Sequence, residues 1–360
     1  MLQVMKPDVP DHLLELIQEI SATYQSPPLE RKKRGKPPDF SPLSFLLLAV
    51  VAVVTKSFCD SELVRLLKAD DVLRTALGFP RSPHRTTVLR RLKTLLPEAE
   101  EQIALCGQHI VKEVAAQEKQ SVRVSAIDGR MYEALGAKWH KADRAEKRIP
   151  AGLRNVDTDS YWSKSGYRGW VQGYRLTMQT LVFPEPVPLF AAFRANSEGE
   201  ITTAKTALRE NRLFVTDVLL GDETFSDQEF RRLYRAAKGW VLTSKQLPPK
   251  RRSWKCDLFA YRKETIELLF QRVMQAVGIK QCPVKGTGKN GAFILAGVWL
   301  YQSCWLQNYR AGKPTAVIKD QIDLARWRAP TYVNQELKIM RVANKGLTKV
   351  AAIRALQSRM

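Results

Sequence analysis

Three acidic residues stand in settings that make them chemically conspicuous. Asp128 closes the β-branched run in "VSAIDGR", Asp222 follows the apolar run in "VLLGDET", and Glu267 lies among Ile266, Leu268, Leu269 and Phe270 in "YRKETIELLFQRV". Strand ends of open α/β sheets are where such folds usually present their ligands. A glutamate among large apolar neighbours is costly unless paired or liganded. If the strands bearing the two aspartates are neighbours, the aspartates emerge side by side, and a helix across that edge adds a third carboxylate. Three carboxylates suit Mg²⁺ or Mn²⁺, which prefer oxygen ligands and keep waters for substrate phosphates. Two such ions about 3.5–4 Å apart can activate a nucleophile and stabilise a leaving oxygen in phosphoryl transfer. Taken singly, each residue has a plainer reading: Asp-Gly is a common hairpin turn, Asp222 a loop acid, Glu267 an exposed helix edge. Glu264 is a second candidate for the third position.

The charge balance names the class of partner. The chain has 360 residues, 58 Lys and Arg against 36 Asp and Glu, and a net charge of +22. Such an excess favours a polyanion, nucleic acid before an anionic membrane surface, because each neutralised phosphate releases counterions. A local acidic hole in so basic a protein fits metals held where a scissile phosphate must go. The longest apolar run, "FLLLAVVAVV" at 45–54, is roughly half the ~20 residues a spanning helix requires and is read as a buried core helix. The N-terminus lacks a signal-peptide layout. Cys59, Cys106, Cys256, Cys282 and Cys304 form no CxxC pair, so reduced thiols in a cytoplasmic, nucleoid-associated protein are expected.

Residues 1–120 read as an all-helical N-terminal domain that binds DNA. A Pro- and Lys-rich linker, "SPPLERKKRGKPPDFSP", precedes the apolar helix. "SPHRTTVLRRLKTLLP" opens on cap residues and carries Arg85, Arg90, Arg91 and Lys93. A short Arg-rich helix after a Gly/Pro turn fits a helix-turn-helix-like reader of DNA, and it equally fits a solvated basic face. From about 121 to 305 the periodicity changes to strands: "VRVSAI", "GYRLTMQTLVF", "PVPLFAAFRA", "LFVTDVLLG" and "WVLTS", with helices between the later ones and a last long helix over "RKETIELLFQRVMQAVG". That order predicts an α/β mixed sheet flanked by helices.

An insert at 135–172 separates the first two strands. Over 138–175 nine Lys and Arg stand against four Asp and Glu, interleaved with Trp139, Tyr161, Trp162, Tyr167 and Trp170. Basic residues among exposed aromatics suit backbone contact with base stacking, which makes Lys138, Trp139, Trp162, Lys164 and Arg168 DNA-contact candidates; anchoring of the loop to the core is the plainer use of any single Trp. Arg130, beside Asp128, and Tyr261, Arg262 and Lys263, before Glu267, complete that set. The basic stretch 306–360 reads as a helical tail that lies on DNA or on a partner subunit.

The ordered blocks "IDGR", "LLGDETFSD" and "YRKETIELLFQRV" resemble the catalytic blocks of bacterial insertion-sequence transposases of the DDE class, and the resemblance extends over roughly residues 40–305. It implies a ribonuclease H-like catalytic domain in which Asp128, Asp222 and Glu267 are the two aspartates and the glutamate, holding two Mg²⁺ or Mn²⁺ ions. It further implies nicking of double-stranded DNA at element ends, attack of the freed 3′-hydroxyl on target DNA, and a homodimer on DNA. The family's Tyr–Arg–Glu–Lys signature is incomplete: Lys263 stands four before Glu267, Tyr261 six before, and Met274 takes the lysine position. Arg262 is placed to grip phosphate in the arginine's stead. A catalytically decayed DNA-binding derivative, or a nuclease of the same fold without strand transfer, is the alternative.

Overall fold

Ser41 accepts a hydrogen bond from the Ser44 N–H and Pro42 fills the first helical position, so the apolar run begins as a helix there. It ends at Lys56, whose φ of 57° breaks the helical path. The computed structural model describes residues 9–25, 39–118, 122–166, 168–248 and 253–327. The linker at 26–38, Tyr167 and the tail from 328 onwards lie outside the described residues.

Six helices come first: α1 (Asp11–Ala22), α2 (Pro42–Thr55), α3 (Asp60–Ala69), α4 (Asp71–Ala76), α5 (Arg85–Thr94) and α6 (Leu96–Glu118). No strand occurs among the described residues of this stretch. The sheet region follows with β1 (Val124–Glu133), α7 (Lys141–Ala145), β2 (Tyr161–Ser165), β3 (Gly169–Leu181), β4 (Pro188–Ala195), α8 (Glu200–Arg209), β5 (Val218–Leu220), α9 (Gln228–Ala236) and β6 (Trp240–Leu242). Then come α10 (Trp254–Arg262), a π-helical turn (Lys263–Glu267), α11 (Leu268–Val277), α12 (Thr287–Arg310) and α13 (Ile318–Leu324).

The strands run β2–β3–β1–β5–β6 across the sheet, and β4 also pairs with β3. Pairing of β3 with β1, β2 and β4 is antiparallel; β1 with β5 and β5 with β6 are parallel. Alternation along the central strands gives the sheet two apolar faces. Ile127, Leu219 and Val241 face a cluster completed by Ala204, Leu208, Phe230 and Tyr234 from α8 and α9. Ala126, Leu220 and Leu242 belong to the larger core that reaches through α6, α11 and α12 to α1 and α2. Sheet and N-terminal helices therefore share one continuous apolar cluster.

Several expected elements take different bounds. Asp128 does not end the first strand, which continues to Glu133 because the antiparallel ladder with β3 holds it through Asp128–Met178, Gly129–Thr177 and beyond. The fourth expected strand shrinks to Val218–Leu220. The "last" helix begins earlier, at Trp254, and is followed by α12, which sequence periodicity did not single out: it is buried on every side from Asn290 to Leu306, its polar Asn290, Gln302 and Ser303 included, so it shows no amphipathic stripe. Among the described residues no single helix is long and apolar enough to cross a membrane; α2 and α3 together reach that composition but bend by 101°. The five cysteines are unpaired.

Candidate functional site

The parallel pairing of β1 with β5 aligns Ala126 with Leu220. Asp128 and Asp222 each follow two residues later, on the same side of neighbouring strands. Asp222 leaves the strand as the cap of a 3₁₀ turn, its Oδ1 accepting the Thr224 N–H at 2.9 Å, while Phe225 buries its ring beneath. Asp128 accepts the Gly129 N–H on Oδ1 at 2.9 Å and Arg262 Nη2 on Oδ2 at 3.0 Å.

The third carboxylate here belongs to Glu200. Asp128, Glu200 and Asp222 offer ligand oxygens that all lie within 4.8 Å of one another. Glu200 opens α8, which packs on the face of the sheet opposite Arg262. Gly129 makes the approach feasible: a Cβ at this position would stand 2.4 Å from the Glu200 carboxyl carbon. Glu200 Oε1 pairs with Arg175 at 3.2 Å, whereas Oε2 is buried without a hydrogen-bond partner. Burial pushes Glu200 up to about 7 against the pull of Arg175, and Asp128 up to about 6 against the pull of Arg262. Like-charge repulsion within the group adds to both shifts.

Such a donor set fits a hard divalent cation. Oxygens bound at 2.0–2.1 Å to one ion sit at most about 4.2 Å apart, so small side-chain rotations close the set. The orphaned Oε2 and the raised carboxyls reflect burial first, with mutual repulsion of the acids adding to it against the pull of the two arginines.

Glu267 ends the π-turn and is exposed, while its neighbour Ile266 takes the buried position. It is not within the three-carboxylate group, although its charge reaches Asp128 and raises it. The apolar neighbours in sequence therefore did not imply an apolar setting, since adjacent helical residues point about 100° apart. Glu264 is exposed as well. Glu200 escaped sequence reasoning because an acid in the first turn of a helix is ordinary, favoured by the helix dipole. Only contact with Gly129 marks it out.

The expected DNA contacts fall into three sets. Arg85, Arg90 and Lys93 are exposed on α5, while Arg91 is half-buried over the Phe45 ring and 3.8 Å from Glu98. In the insert, Lys164 and Arg168 are exposed, and Lys138 pairs with Glu133 at 3.2 Å. The two tryptophans do not offer open faces for stacking. Trp139 is only 6% exposed and donates its indole N–H to the Arg148 carbonyl at 2.8 Å; half-buried Trp162 donates to the Trp139 carbonyl at 2.6 Å. They fasten the insert down. Among the described residues its exposed aromatics are Tyr161 and Trp170, approached by Arg144 and Lys141 respectively. Around the carboxylates, Arg130 is half-buried and Arg262 mostly buried, whereas Lys263 is exposed, as is Tyr261, whose ring lies against Phe183.

No protein-family model matches the chain, and no curated protein matches it. Among solved structures, it is similar to a piggyBac transposase synaptic complex with hairpin DNA, over 93% of this chain and 83% of that one, at 10% identity and a TM-score of 0.40. A Mos1 transposase paired-end complex with the left transposon end matches over 77% and 82% of the two chains, at 12% identity and a TM-score of 0.20. A pre-cleavage Mos1 transpososome matches over 76% and 80%, at 12% identity and a TM-score of 0.20.

Proposed function

We propose that this chain is a DNA transposase with a ribonuclease H-like catalytic sheet, cutting at the ends of a mobile element and joining them to target DNA. What supports this most is the alignment of Ala126 with Leu220, from which Asp128 and Asp222 both follow by two residues. The strand order also supports the fold assignment, with antiparallel strands on one side of β1 and parallel ones, connected through helices, on the other.

Asp128, Glu200 and Asp222 would hold the divalent cation, Mg²⁺ or Mn²⁺. Bound there, it supplies Lewis-acid activation of the attacking hydroxyl and neutralises charge on the phosphate. Arg175 orients Glu200, and the Gly129 N–H orients Asp128. The basic residues around the carboxylates, with α5 and the insert, would carry the DNA backbone. Two element ends must be held together, so the DNA-bound form would be a homodimer, acting in the cytoplasm on the nucleoid. Glu267 and Glu200 compete for the third acidic role: the first on the resemblance of its sequence block, the second on distance.

The test is nicking of supercoiled plasmid in Mn²⁺, followed by joining of labelled ends. Asp128→Asn and Asp222→Asn are expected to abolish nicking. Asp128→Asn should also bind DNA at least as tightly as the wild type, because a negative charge beside the phosphates is gone. Cleavage by Asp128→Asn at the wild-type rate would sink the proposal, and nicking without joining would leave the nuclease reading. Glu200→Gln compared with Glu267→Gln decides which glutamate serves.

A further inference from the structure

Two guanidinium groups neutralise the carboxylate pocket, and they are held very differently. Arg175 belongs to β3, with its backbone between Met131 of β1 and Arg194 of β4, and its side chain also donates to Ser163 Oγ at 3.3 Å. Arg262 is the last residue of α10, immediately before the π-turn. Among the described residues its one side-chain hydrogen bond is to Asp128 Oδ2, and its Nε, like that of Arg175, is buried without a partner. Both Arg262 and Asp128 are more than four-fifths buried, at 15% and 18% side-chain exposure. A π-turn carries one residue more than the surrounding α-helical ladder needs, so it marks where the helix can change local register.

Arg262 places a guanidinium nitrogen 3.0 Å from Oδ2 of Asp128, one of the three carboxylates that a cation bound between Asp128, Glu200 and Asp222 would need. Asp128 Oδ1 accepts the Gly129 N–H and Oδ2 the guanidinium, so both of its oxygens are engaged. A guanidinium in contact with Asp128 in so buried a pocket repels a divalent cation bound to the same carboxylate. We propose that Arg262 is the resident counter-ion of the metal-free site: cation binding expels it from Asp128, and the freed guanidinium moves to the pocket rim beside exposed Tyr261 and Lys263, where it binds a DNA phosphate. This rests on the metal site proposed above. Metal loading and DNA grip are then linked through one side chain, each strengthening the other by the same factor. Arg262 does not touch the reacting atoms in this account; it positions charge.

Mn²⁺ titration calorimetry on the full chain tests it, with wild type, Arg262→Gln and Arg262→Lys. Removing a charge that competes at contact distance in a partly buried site should tighten Mn²⁺ binding about tenfold or more. Arg262→Lys, which keeps the charge but loses the planar fork, should fall between. A second readout is duplex DNA affinity at fixed salt, which should rise with Mn²⁺ for the wild type and stay flat for Arg262→Gln. Thermal unfolding without metal should show Arg262→Gln less stable, its Asp128 left unpaired, and Mn²⁺ should restore it. If Arg262 only grips phosphate, Mn²⁺ affinity will be unchanged in Arg262→Gln, and the inference is overturned while the metal site stands. If neither protein binds Mn²⁺, the metal site itself falls and the inference with it. Should Arg262→Gln fail to fold, an Arg262→Lys affinity equal to or weaker than wild type overturns the inference.

Discussion

Asp128 and Glu200 are ionisable groups whose burial opposes the charge their chemistry requires. Their carboxyls stand at about 6 and about 7, above the roughly 3.9 and 4.3 of an unfolded chain. Between the unfolded and folded values the native state holds protons that the unfolded chain has released, so these two groups subtract stability as pH rises from about 4 to about 7. Metal-free wild type should therefore lose stability relative to Asp128→Asn over that window, as followed by thermal unfolding of both at several pH values; wild type gaining stability relative to the variant as pH rises would contradict the assignment. Mn²⁺ affinity should rise through the same window, because the ligands must shed their protons. Gly129 supplies a second prediction at this scale. In Gly129→Ala the new methyl meets the movable end of Glu200 rather than backbone, so Glu200 should be displaced and Mn²⁺ binding weakened several-fold. The accompanying stability loss should stay near the low end of the about 1–3 kcal/mol typical of overpacking; calorimetry and urea unfolding read the two effects separately.

Helix α6 is fastened to the sheet through one buried acid. Glu100 is 2% exposed and pairs with both Arg194 of β4 and Arg212 beyond α8, while also accepting the Phe193 N–H at 3.1 Å. Removing such a shared anion takes away the carboxylate that Arg194 and Arg212 have in common, leaving them Glu198 and Glu210 respectively. Glu100→Gln should destabilise the fold by about 3 kcal/mol, the lower end for a broken buried pair, because both arginines keep about a fifth of their side-chain exposure. A urea-unfolding change below about 1 kcal/mol would mean that the network is solvated. Close backbone packing adds to the fastening: a Cβ on Gly107 of α6 would stand 2.3 Å from the Leu189 carbonyl oxygen of β4. The sheet that carries the aspartates is thus braced from the side away from α8 and α9.

At the scale of the whole molecule the net charge of +22 sets how the protein should meet DNA. Affinity for duplex should fall as a straight line on logarithmic axes as salt rises, with a slope near −0.9 for every phosphate neutralised. Filter binding between 50 and 200 mM salt (about one such span is enough) measures it, and a slope near zero would remove nucleic acid as the main partner. Asp128→Asn should steepen the slope by no more than about 0.9, the one phosphate that Arg262 can take once it has lost its partner.

Local pattern by itself determined a good deal. The β-branched run before Asp128, the Gly-Asp after "VLL" and the capped helices of the first 118 residues follow from side-chain stiffness, turn chemistry and capping, which act within a few residues. The adjacency of Asp128 and Asp222 was legible as a consequence of one strand order, although β1 ran past Asp128, because the ladder with β3 outlasts its local signal. What tertiary structure alone decided was which carboxylate stands beside the two aspartates and which arginines face it. Glu200 reaches the site across the sheet over a residue with no side chain, and Arg262 reaches it from the other face. Contacts between residues 70 or more positions apart leave no periodicity to read, and the direction in which a helical side chain such as Glu267 points depends on which stripe of its helix the core takes.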